Sequence, residues 1–325
     1  MLKANLSINN NMENLPCPNG CPVVDEELFV ASDRLHALPG EFTVVRCKTC
    51  GLIRTNPRPT PETIGYYYPE DYGPYLCTRI NSNFQQDKPL FKRLLRPIFR
   101  RIFQFNVDII PNLRPGRMLE VGCASGTFLA QMAAQGWQVE GIEFSETSAS
   151  HAHSAGFKVH VGTLEDASEP DGLYDLIVGW MVIEHLHDPI EALTKLARWV
   201  KPGGWLVISL PNAASAEFML FKGDSYALQV PTHLYHYTPK TLTALLYKTG
   251  WIVKRVFHQR VLSNLFASIG LVLDSKGAPV LLTKLFAKYP TQGGYWAYLF
   301  YPFAWLLAAF GQTGRMTVWA QRHDV

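Results

Sequence analysis

The 325-residue sequence lacks any run of 18 apolar residues, which is the length that a standard membrane-spanning helix requires. Its first 15 residues contain no apolar stretch of the kind that a secretory signal carries. Charged residues are also few, at 18%, and the formal net charge of +3 gives no overall field that would favour nucleic acid. The six cysteines are too sparse for a disulfide scaffold in a chain of this length. These absences predict a cytoplasmic protein that does not bind nucleic acid.

Enough apolar residues are present, at 47%, for a globular fold of two or three domains. Composition divides the chain into four regions. Residues 1–85 contain most of the cysteines, residues 86–115 combine basic and apolar side chains, residues 116–257 alternate short apolar runs with amphipathic stretches, and residues 258–325 are rich in aromatic residues and leucine.

The third region predicts alternating strands and helices. The candidate strands are Arg117–Val121, Gln138–Glu143, Lys158–Val161, Leu173–Gly179, Trp205–Leu210 and Trp251–Phe257, with Met316–Gln321 following a long interruption. The candidate helices are Thr127–Gln135, Ser145–Ala155, Pro189–Trp199 and Pro239–Lys248. This order predicts an α/β fold, in which helices cover both faces of a mainly parallel sheet.

A loop of small residues follows the first candidate strand, in the order Glu120-x-Gly122-x-Ala124-x-Gly126. Small residues allow a backbone to approach a ligand closely, although a tight turn without a ligand is the alternative. The dinucleotide pattern G-x-G-x-x-G fails here at two positions. The segment instead resembles motif I of the class I S-adenosylmethionine-dependent methyltransferases, with Ala124 in place of the middle glycine. The resemblance implies a Rossmann-like sheet and S-adenosylmethionine as cofactor.

Further segments match this family in order along the chain. Glu143 ends the second strand, where a carboxylate binds the two ribose hydroxyls, and Asp166, with Glu165 as the alternative, takes the position beside the adenine amino group. The segments 174–189, 201–204 and 210–212 resemble the fourth and fifth strands and their loops. The resemblance therefore assigns cofactor binding to Glu120, Gly122, Ala124, Gly126, Glu143 and Asp166.

Candidate acid–base residues lie on the acceptor side. Removal of a proton from a hydroxyl or carbon acceptor benefits from a general base. Glu184 and His185 follow the fourth strand at the sheet edge that binds ligands in such folds, and His233 lies in a Pro-x-His segment that lines the acceptor pocket in similar methyltransferases. The alternative for each histidine is a packing role. The spacing of these three residues does not predict a metal site.

Four cysteines form two close pairs, Cys17 with Cys21 and Cys47 with Cys50. Paired thiolates at such spacing suit tetrahedral zinc, and reduced or disulfide-bonded cysteines are the alternative. Cys77 and Cys123 have no partner and are predicted to be packing residues. The segment 46–59 and the tyrosines after it are similar to the zinc module that precedes the methyltransferase domain in sugar C-methyltransferases. That similarity makes Tyr67, Tyr68 and Tyr72 candidates for covering the cofactor or acceptor, unless they only pack the two domains together.

Two segments rich in apolar residues stand out by their composition. Residues 88–101 hold six Lys or Arg and no acid, and residues 295–310 are apolar throughout. The first predicts either a helix on an anionic membrane or one packed on the catalytic domain. The second interrupts the last two strands and predicts an interfacial hairpin, a dimer interface or a lid over the acceptor. Peripheral membrane contact through 88–103 and 295–310 is thus one alternative, and the oligomeric state stays open.

These observations predict a zinc-binding module at 1–85, a basic helical connector at 86–115, a methyltransferase core at 116–257 and a helical insertion with the final strand at 258–325. The expected reaction is O-methylation, ahead of C-methylation, of a glycan, a lipid-linked sugar or a quinone-like molecule. The resemblance of residues 181–189 and 201–204 to quinone O-methyltransferases keeps the last acceptor open. The alternative is a non-catalytic, zinc-containing scaffold with a methyltransferase-like fold.

Overall fold

A computed structural model describes residues 12–68, 102–287 and 294–323. The strands are β1 (Met12–Glu13), β2 (Asp25–Ala31), β3 (Phe42–Cys47), β4 (Ile53–Thr55), β5 (Arg58–Pro59), β6 (Arg117–Val121), β7 (Gln138–Glu143), β8 (Lys158–Val161), β9 (Tyr174–Trp180), β10 (Val200–Pro211), β11 (Tyr235–His236), β12 (Trp251–His258) and β13 (Arg315–Arg322). The α-helices are α1 (Thr127–Ala133), α2 (Glu146–Ser154), α3 (Pro189–Trp199), α4 (Ala216–Phe221), α5 (Pro239–Lys248), α6 (Ser263–Ser275), α7 (Val280–Ala287), α8 (Gly294–Leu299) and α9 (Tyr301–Ala309).

The central sheet has seven strands in the order β12-β13-β10-β9-β6-β7-β8. All neighbouring pairs from β10 to β8 are parallel, whereas β13 runs antiparallel to both β10 and β12. The chain moves outward from β6 to β8 and then returns to place β9 on the other side of β6. This reversal opens a crevice at the carboxyl ends of β6 and β9, where such sheets bind ligands. The predicted Rossmann-like α/β fold is confirmed.

Local signals explain why several predicted bounds agree with the structure. The Asp188 side chain accepts the N–H groups of Ile190 and Glu191, so α3 begins at Pro189 as predicted. Thr238 and Thr241 form a reciprocal capping box at the start of α5. Strand β10 begins at Val200, five residues before the predicted start, and residues 201–204 interrupt its pairing with β9 between the pairs Val200–Tyr174 and Trp205–Leu176.

A second sheet joins the amino-terminal part of the chain to the catalytic part. Its order is β11-β4-β3-β2, and all its strand pairs are antiparallel. Strand β11 comes from the region between β10 and α5, so one strand of this sheet is supplied by the methyltransferase core. Buried residues of both parts, such as Phe42, Cys47, Leu210 and Leu234, belong to one apolar cluster. The two parts therefore share a core.

The region between β12 and β13 is helical, as predicted, and contains α6 to α9. Several apolar side chains on it are exposed, among them Leu281, Leu299 and Phe310. Within the three described ranges, no helix has the length and hydropathy needed to cross a membrane. Phe103 and Phe105 pack edge-on against Tyr301 of α9. The basic segment 88–101 that precedes them lies outside the described residues, as do Tyr72 and Cys77.

Arg58 connects the amino-terminal part to the site-bearing loops. Its buried guanidinium donates to Glu13 Oε1 at 2.7 Å, Tyr235 Oη at 3.0 Å and the His187 carbonyl at 3.0 Å. We expect Arg58→Ala to lower the free energy of unfolding by roughly 2–3 kcal/mol, because partners in three segments lose a charged donor. Chemical denaturation measures this loss.

Arg46→Ala is the matched control. Its ion pair with Glu26 spans 3.8 Å and both side chains are substantially exposed, so its removal should cost less than about 0.5 kcal/mol. Equal stability of the two variants would contradict the connecting role of Arg58.

Candidate active site

A cleft of about 680 Å³ lies at the carboxyl ends of β6, β7 and β9, where the topology reverses. Its walls come from five places: the glycine loop and β7, the loops after β8 and β9, the amino-terminal part of the chain, the segment before β11, and the start of β13. The lining residues include Ile64, Tyr68, Gly122, Ala124, Glu143, Phe144, Thr163, Leu164, Glu165, Met181, His185, His187, Tyr226, Gln229, His233 and Arg315. The cleft is therefore lined both by predicted cofactor residues, such as Glu143, and by predicted acceptor-side residues, such as His185.

The glycine loop needs small residues for two measurable reasons. Gly122 and Gly126 have φ values of 72° and 81°, in the left-handed region that side chains disfavour. A Cβ atom on Gly122 would also lie 2.6 Å from Val182 Cγ2. Ala124, which replaces the middle glycine of the motif, has φ of 47° and is held there because its N–H donates to Glu143 Oε2 at 2.8 Å. The loop therefore keeps its shape with alanine at this position.

Glu143 ends β7 with its carboxylate at the cleft. It accepts the Ala124 N–H on one oxygen and the Ser145 N–H on the other, each at 2.8 Å. Burial raises the pKa of this carboxyl, and the N–H groups of Ser145 and Ala124 oppose that rise. Each oxygen retains a second acceptor position, so the carboxylate can receive a pair of hydroxyl donors from a ligand. This is the arrangement that ribose binding requires.

The other predicted cofactor residues divide between the cleft and its surroundings. Glu120 is buried behind the loop, and burial, followed by the charges of Asp108 and Glu143, raises its pKa. It is not one of the residues that line the cleft. Asp166 is exposed and accepts a hydrogen bond from the Thr163 hydroxyl at 2.7 Å. Glu165, the alternative to Asp166, does line the cleft, as does Thr163.

Glu184, His185 and His233 meet at the acceptor end of the cleft and form what we call the Glu-His-His cluster. Ligand atoms of all three lie within 4.8 Å of one another. His233 Nε2 lies 4.0 Å from Glu184 Oε1, and the two imidazole centroids are 4.6 Å apart. Glu184 and His233 are each about 1% exposed. Residues that are distant in sequence therefore converge in space, which their spacing did not predict.

Backbone carbonyls fix the tautomers of both histidines. His185 Nδ1 lies 2.9 Å from the Thr232 carbonyl, and His233 Nδ1 lies 2.9 Å from the Ala227 carbonyl. A carbonyl oxygen only accepts, so each Nδ1 must carry the proton and each Nε2 must present a lone pair. Tyr68 Oη also lies 2.9 Å from Nδ1 of His185, so it accepts a hydrogen bond from the same N–H group.

Burial dominates the electrostatics of this cluster. It lowers the pKa of His185 to about 4 and that of His233 well below its usual range, and it raises the pKa of Glu184 to about 8. Neither carboxyl oxygen of Glu184 has a hydrogen-bond partner among the described residues. Two neutral imidazoles with free Nε2 atoms and an unsatisfied carboxyl can act in proton transfer, and the same set can hold a divalent cation.

Residues of the amino-terminal part support this cluster. The Thr55 hydroxyl donates to the His233 carbonyl at 3.0 Å, and the Thr55 N–H donates to the Leu234 carbonyl at 3.0 Å. Of the tyrosines considered from the sequence, Tyr68 lines the cleft, while Tyr67 is buried and packs edge-on against Phe42. Sequence reasoning did not single out Thr55, Phe144, Tyr226, Gln229 or Arg315, because none belongs to a motif.

The four cysteines Cys17, Cys21, Cys47 and Cys50 also converge, with their sulfur atoms within 4.8 Å of one another and no disulfide between them. The Gly20 N–H donates to the Cys17 carbonyl and the Gly51 N–H to the Cys47 carbonyl, which closes a turn at each pair. Four sulfur ligands in this arrangement fit a tetrahedral structural metal site. The cluster lies at the end of β3, whose last residue is Cys47.

Comparison with known proteins agrees with this geometry. The methyltransferase-domain family matches residues 91–256, just over half of the chain. The ubiquinone biosynthesis O-methyltransferase of Bordetella avium is 32% identical over 156 residues, which cover 44% of this chain and 65% of that protein. The enzyme of the same name from Bordetella bronchiseptica is 35% identical over 130 residues, or 37% of this chain and 54% of that protein.

Among solved structures, an S-adenosylmethionine-dependent methyltransferase from Mesorhizobium loti has a TM-score of 0.44 and 17% identity, over 72% of this chain and all of that one. The aligned region spans about 54–65% of the length of the two curated relatives. The chain belongs to the methyltransferase-domain family, as a class I S-adenosylmethionine-dependent methyltransferase.

The position of Glu143 generates a test of cofactor binding. We expect Glu143→Ala to weaken binding of S-adenosylhomocysteine at least tenfold, because the ribose hydroxyls lose a charged acceptor. Isothermal calorimetry measures the affinity, and Glu143→Gln, which keeps one acceptor and the side-chain shape, should lie between the two. Glu191→Ala, on the exposed first turn of α3, is the control. Unchanged affinity in a folded Glu143→Ala variant would refute this role.

Proposed function

We propose that the protein transfers a methyl group from S-adenosylmethionine to a hydroxyl oxygen of a small-molecule acceptor. The observation that carries this proposal is the meeting of the glycine loop, Glu143 and the Glu-His-His cluster in one cleft. A donor-binding half and a proton-accepting half thus face the same space. S-adenosylmethionine supplies the electrophilic methyl group when bound, and all other requirements fall on residues of the chain.

The chain's own groups align the acceptor and receive its proton. Displacement at a methyl carbon is in line, so catalysis depends on fixing the acceptor oxygen and excluding water. His185 Nε2 is the atom we assign as proton acceptor, because its Nδ1–H is held by the Thr232 carbonyl and its ring lines the cleft. His233 and Glu184 lie behind it and accept the proton onward or steady the ring.

The acceptor class follows from chemistry rather than from a named ligand. The curated relatives are named as O-methyltransferases of ubiquinone biosynthesis, which supports a phenolic, quinone-like acceptor. The similarity of the cysteine segment to sugar-modifying enzymes supports a glycan or a lipid-linked sugar. O-methylation is proposed ahead of C-methylation because the curated relatives are named as O-methyltransferases.

A second role for the Glu-His-His cluster is favoured by a specific observation. Among the described residues neither Glu184 oxygen has a hydrogen-bond partner, and each histidine offers a ring nitrogen within 4.8 Å of the other ligand atoms. A divalent cation there would bind a deprotonated acceptor oxygen directly. In this alternative the histidines are ligands and not bases, so the two roles differ in their response to chelators.

Substitution within the cluster tests the proposal. His185→Asn should lower kcat by roughly 10²–10⁴-fold, the range for loss of a general base, without changing the affinity for S-adenosylhomocysteine. Methyl transfer from labelled donor to a catechol is the assay. His153→Asn, on the exposed face of α2, is the control. Activity that is lost with a chelator and restored by Mg²⁺ would select the cation role, and full activity in His185→Asn would contradict both roles.

We also propose that the four cysteines hold one structural zinc ion. The thiolates would share the charge of the ion, and the turns at Gly20 and Gly51 already bring them together. In this role the zinc ion would fix β3 and β4. Strand β4 carries Thr55, whose hydroxyl donates to the His233 carbonyl. This role makes the module a support for catalysis. Membrane contact through 88–103 and 295–310, and binding of the chain to other proteins as a scaffold, stay predictions.

Zinc content tests this second proposal. Elemental analysis of the purified chain should give about one zinc per chain, and Cys50→Ser should lower both the zinc content and the midpoint of thermal unfolding. Cys123→Ser is the control, because Cys123 is buried beneath the glycine loop and away from the cluster. A wild-type chain without metal but with full thermal stability would overturn the zinc assignment.

A further inference from the structure

Arg315 is the only Lys or Arg among the described residues that line the cleft. It is the first residue of β13, where its Cα pairs with that of Pro211 and its carbonyl accepts the Gln259 N–H at 2.9 Å. The backbone at this position is therefore fixed by two strands and a loop. No motif or sequence pattern indicates a role for this arginine.

One side of the guanidinium is fixed and the other is available. Arg315 Nε donates to Asn264 Oδ1 at 3.0 Å. Asn264 Nδ2 donates to the Gly314 carbonyl at 3.2 Å, so the orientation of the amide is set and its oxygen must face Arg315. The two terminal nitrogens of Arg315 form no hydrogen bond or ion pair with any described residue. A guanidinium held by Nε presents its remaining N–H donors as a planar fork.

Nearby carboxyls do not neutralise this charge by direct contact. Arg315 opposes the burial-driven rise in the pKa of Glu184, Glu217 and Asp108, so its charge acts on all three groups. Arg315 forms no ion pair among the described residues, so none of these carboxyl oxygens lies within 4.0 Å of a guanidinium nitrogen. Arg315, His185 and His233 line the same cleft, so the guanidinium shares this space with the Glu-His-His cluster.

We propose that Arg315 binds an oxyanion, a carboxylate or a phosphate, carried by the methyl acceptor. The inference rests on the proposed methyl transfer and names the chemical class of its substrate. Arginine forks match the geometry of both anions, and a charge-assisted pair in a partly buried site is stronger than a neutral hydrogen bond. An anionic acceptor would also offset the positive charge of the methyl donor. A carboxylate suits an aromatic acid, and a phosphate suits a phosphate-linked glycan.

Matched neutral and anionic probes test this proposal. Wild-type chain saturated with S-adenosylhomocysteine is titrated with 3,4-dihydroxybenzoate, with 3,4-dihydroxybenzamide and with phenyl phosphate. We expect at least one anionic probe to bind about tenfold more tightly than the amide, the size of effect that a charged hydrogen-bonded pair supplies. Preference for the benzoate selects the carboxylate, and preference for phenyl phosphate selects the phosphate.

Variants locate the effect at Arg315. Arg315→Gln should bring the anion-to-amide ratio close to one, while Arg315→Lys should keep part of it because it retains the charge but not the fork. Arg260→Gln, whose guanidinium contacts Tyr301 and the Gln104 carbonyl outside the cleft, should keep the wild-type ratio. If Arg315→Gln does not fold, the comparison of wild type with Arg315→Lys decides.

Three results would overturn the proposal: no binding of either anionic probe by wild type, equal binding of anions and amide, or a wild-type ratio in folded Arg315→Gln. Failure of wild type to bind S-adenosylhomocysteine would instead contradict the proposed methyl transfer. The probe titrations without the donor product would still report on Arg315 in that case, so the two failures are distinguishable.

Discussion

The pairing of β4 with β11 is the constraint on which the site depends. Strand β11 is only two residues long, yet it closes the amino-terminal sheet and directly follows His233 and Leu234. The Leu234 N–H donates to the Glu184 carbonyl at 2.8 Å, while its own carbonyl accepts from Thr55. The backbone of one segment is thus bonded to the loop after β9 on one side and to the amino-terminal sheet on the other. Glu184 and His233 are held together by backbone, before their side chains interact.

This arrangement explains how an electrostatically unfavourable cluster persists. It costs free energy to bury a carboxyl that has no hydrogen-bond partner among the described residues, together with two imidazoles. Hydrogen bonds from Nδ1 to the Thr232 and Ala227 carbonyls recover part of it, and His233 Nε2 comes to 4.0 Å from the Glu184 carboxyl. The cost is concentrated where a proton or a cation is to be received. Such concentration of strain is expected at functional sites and not elsewhere in a core.

Local signals made the central sheet predictable. Strands β6, β7 and β8 and helices α3 and α5 have the bounds expected from apolar runs, proline at the first turn and capping side chains. The Glu-His-His cluster was predicted by residue but not by geometry, since Glu184 and His233 are far apart in sequence. The choice between Asp166 and Glu165 was not determined either, because neighbouring residues in a loop point to different sides. Thr55 and Arg315 depend on tertiary contacts, for which no periodicity exists.

The helical insertion contacts the cleft through side chains of α6: Asn264 accepts from Arg315 Nε, and the Ser268 hydroxyl accepts the Tyr226 N–H at 2.9 Å. Helix α6 begins at Ser263, and Asn264 in its first turn is buried against the turn before β13. Because Asn264 bonds to both the Gly314 carbonyl and the Arg315 guanidinium, the position of α6 determines where that charge points. An insertion between the last two strands can therefore alter acceptor selection without contributing a lining residue of its own. The glycine loop and Glu143 are built on β6 and β7, and no described residue of α6 bonds to them, so this wall of the cleft does not depend on the insertion.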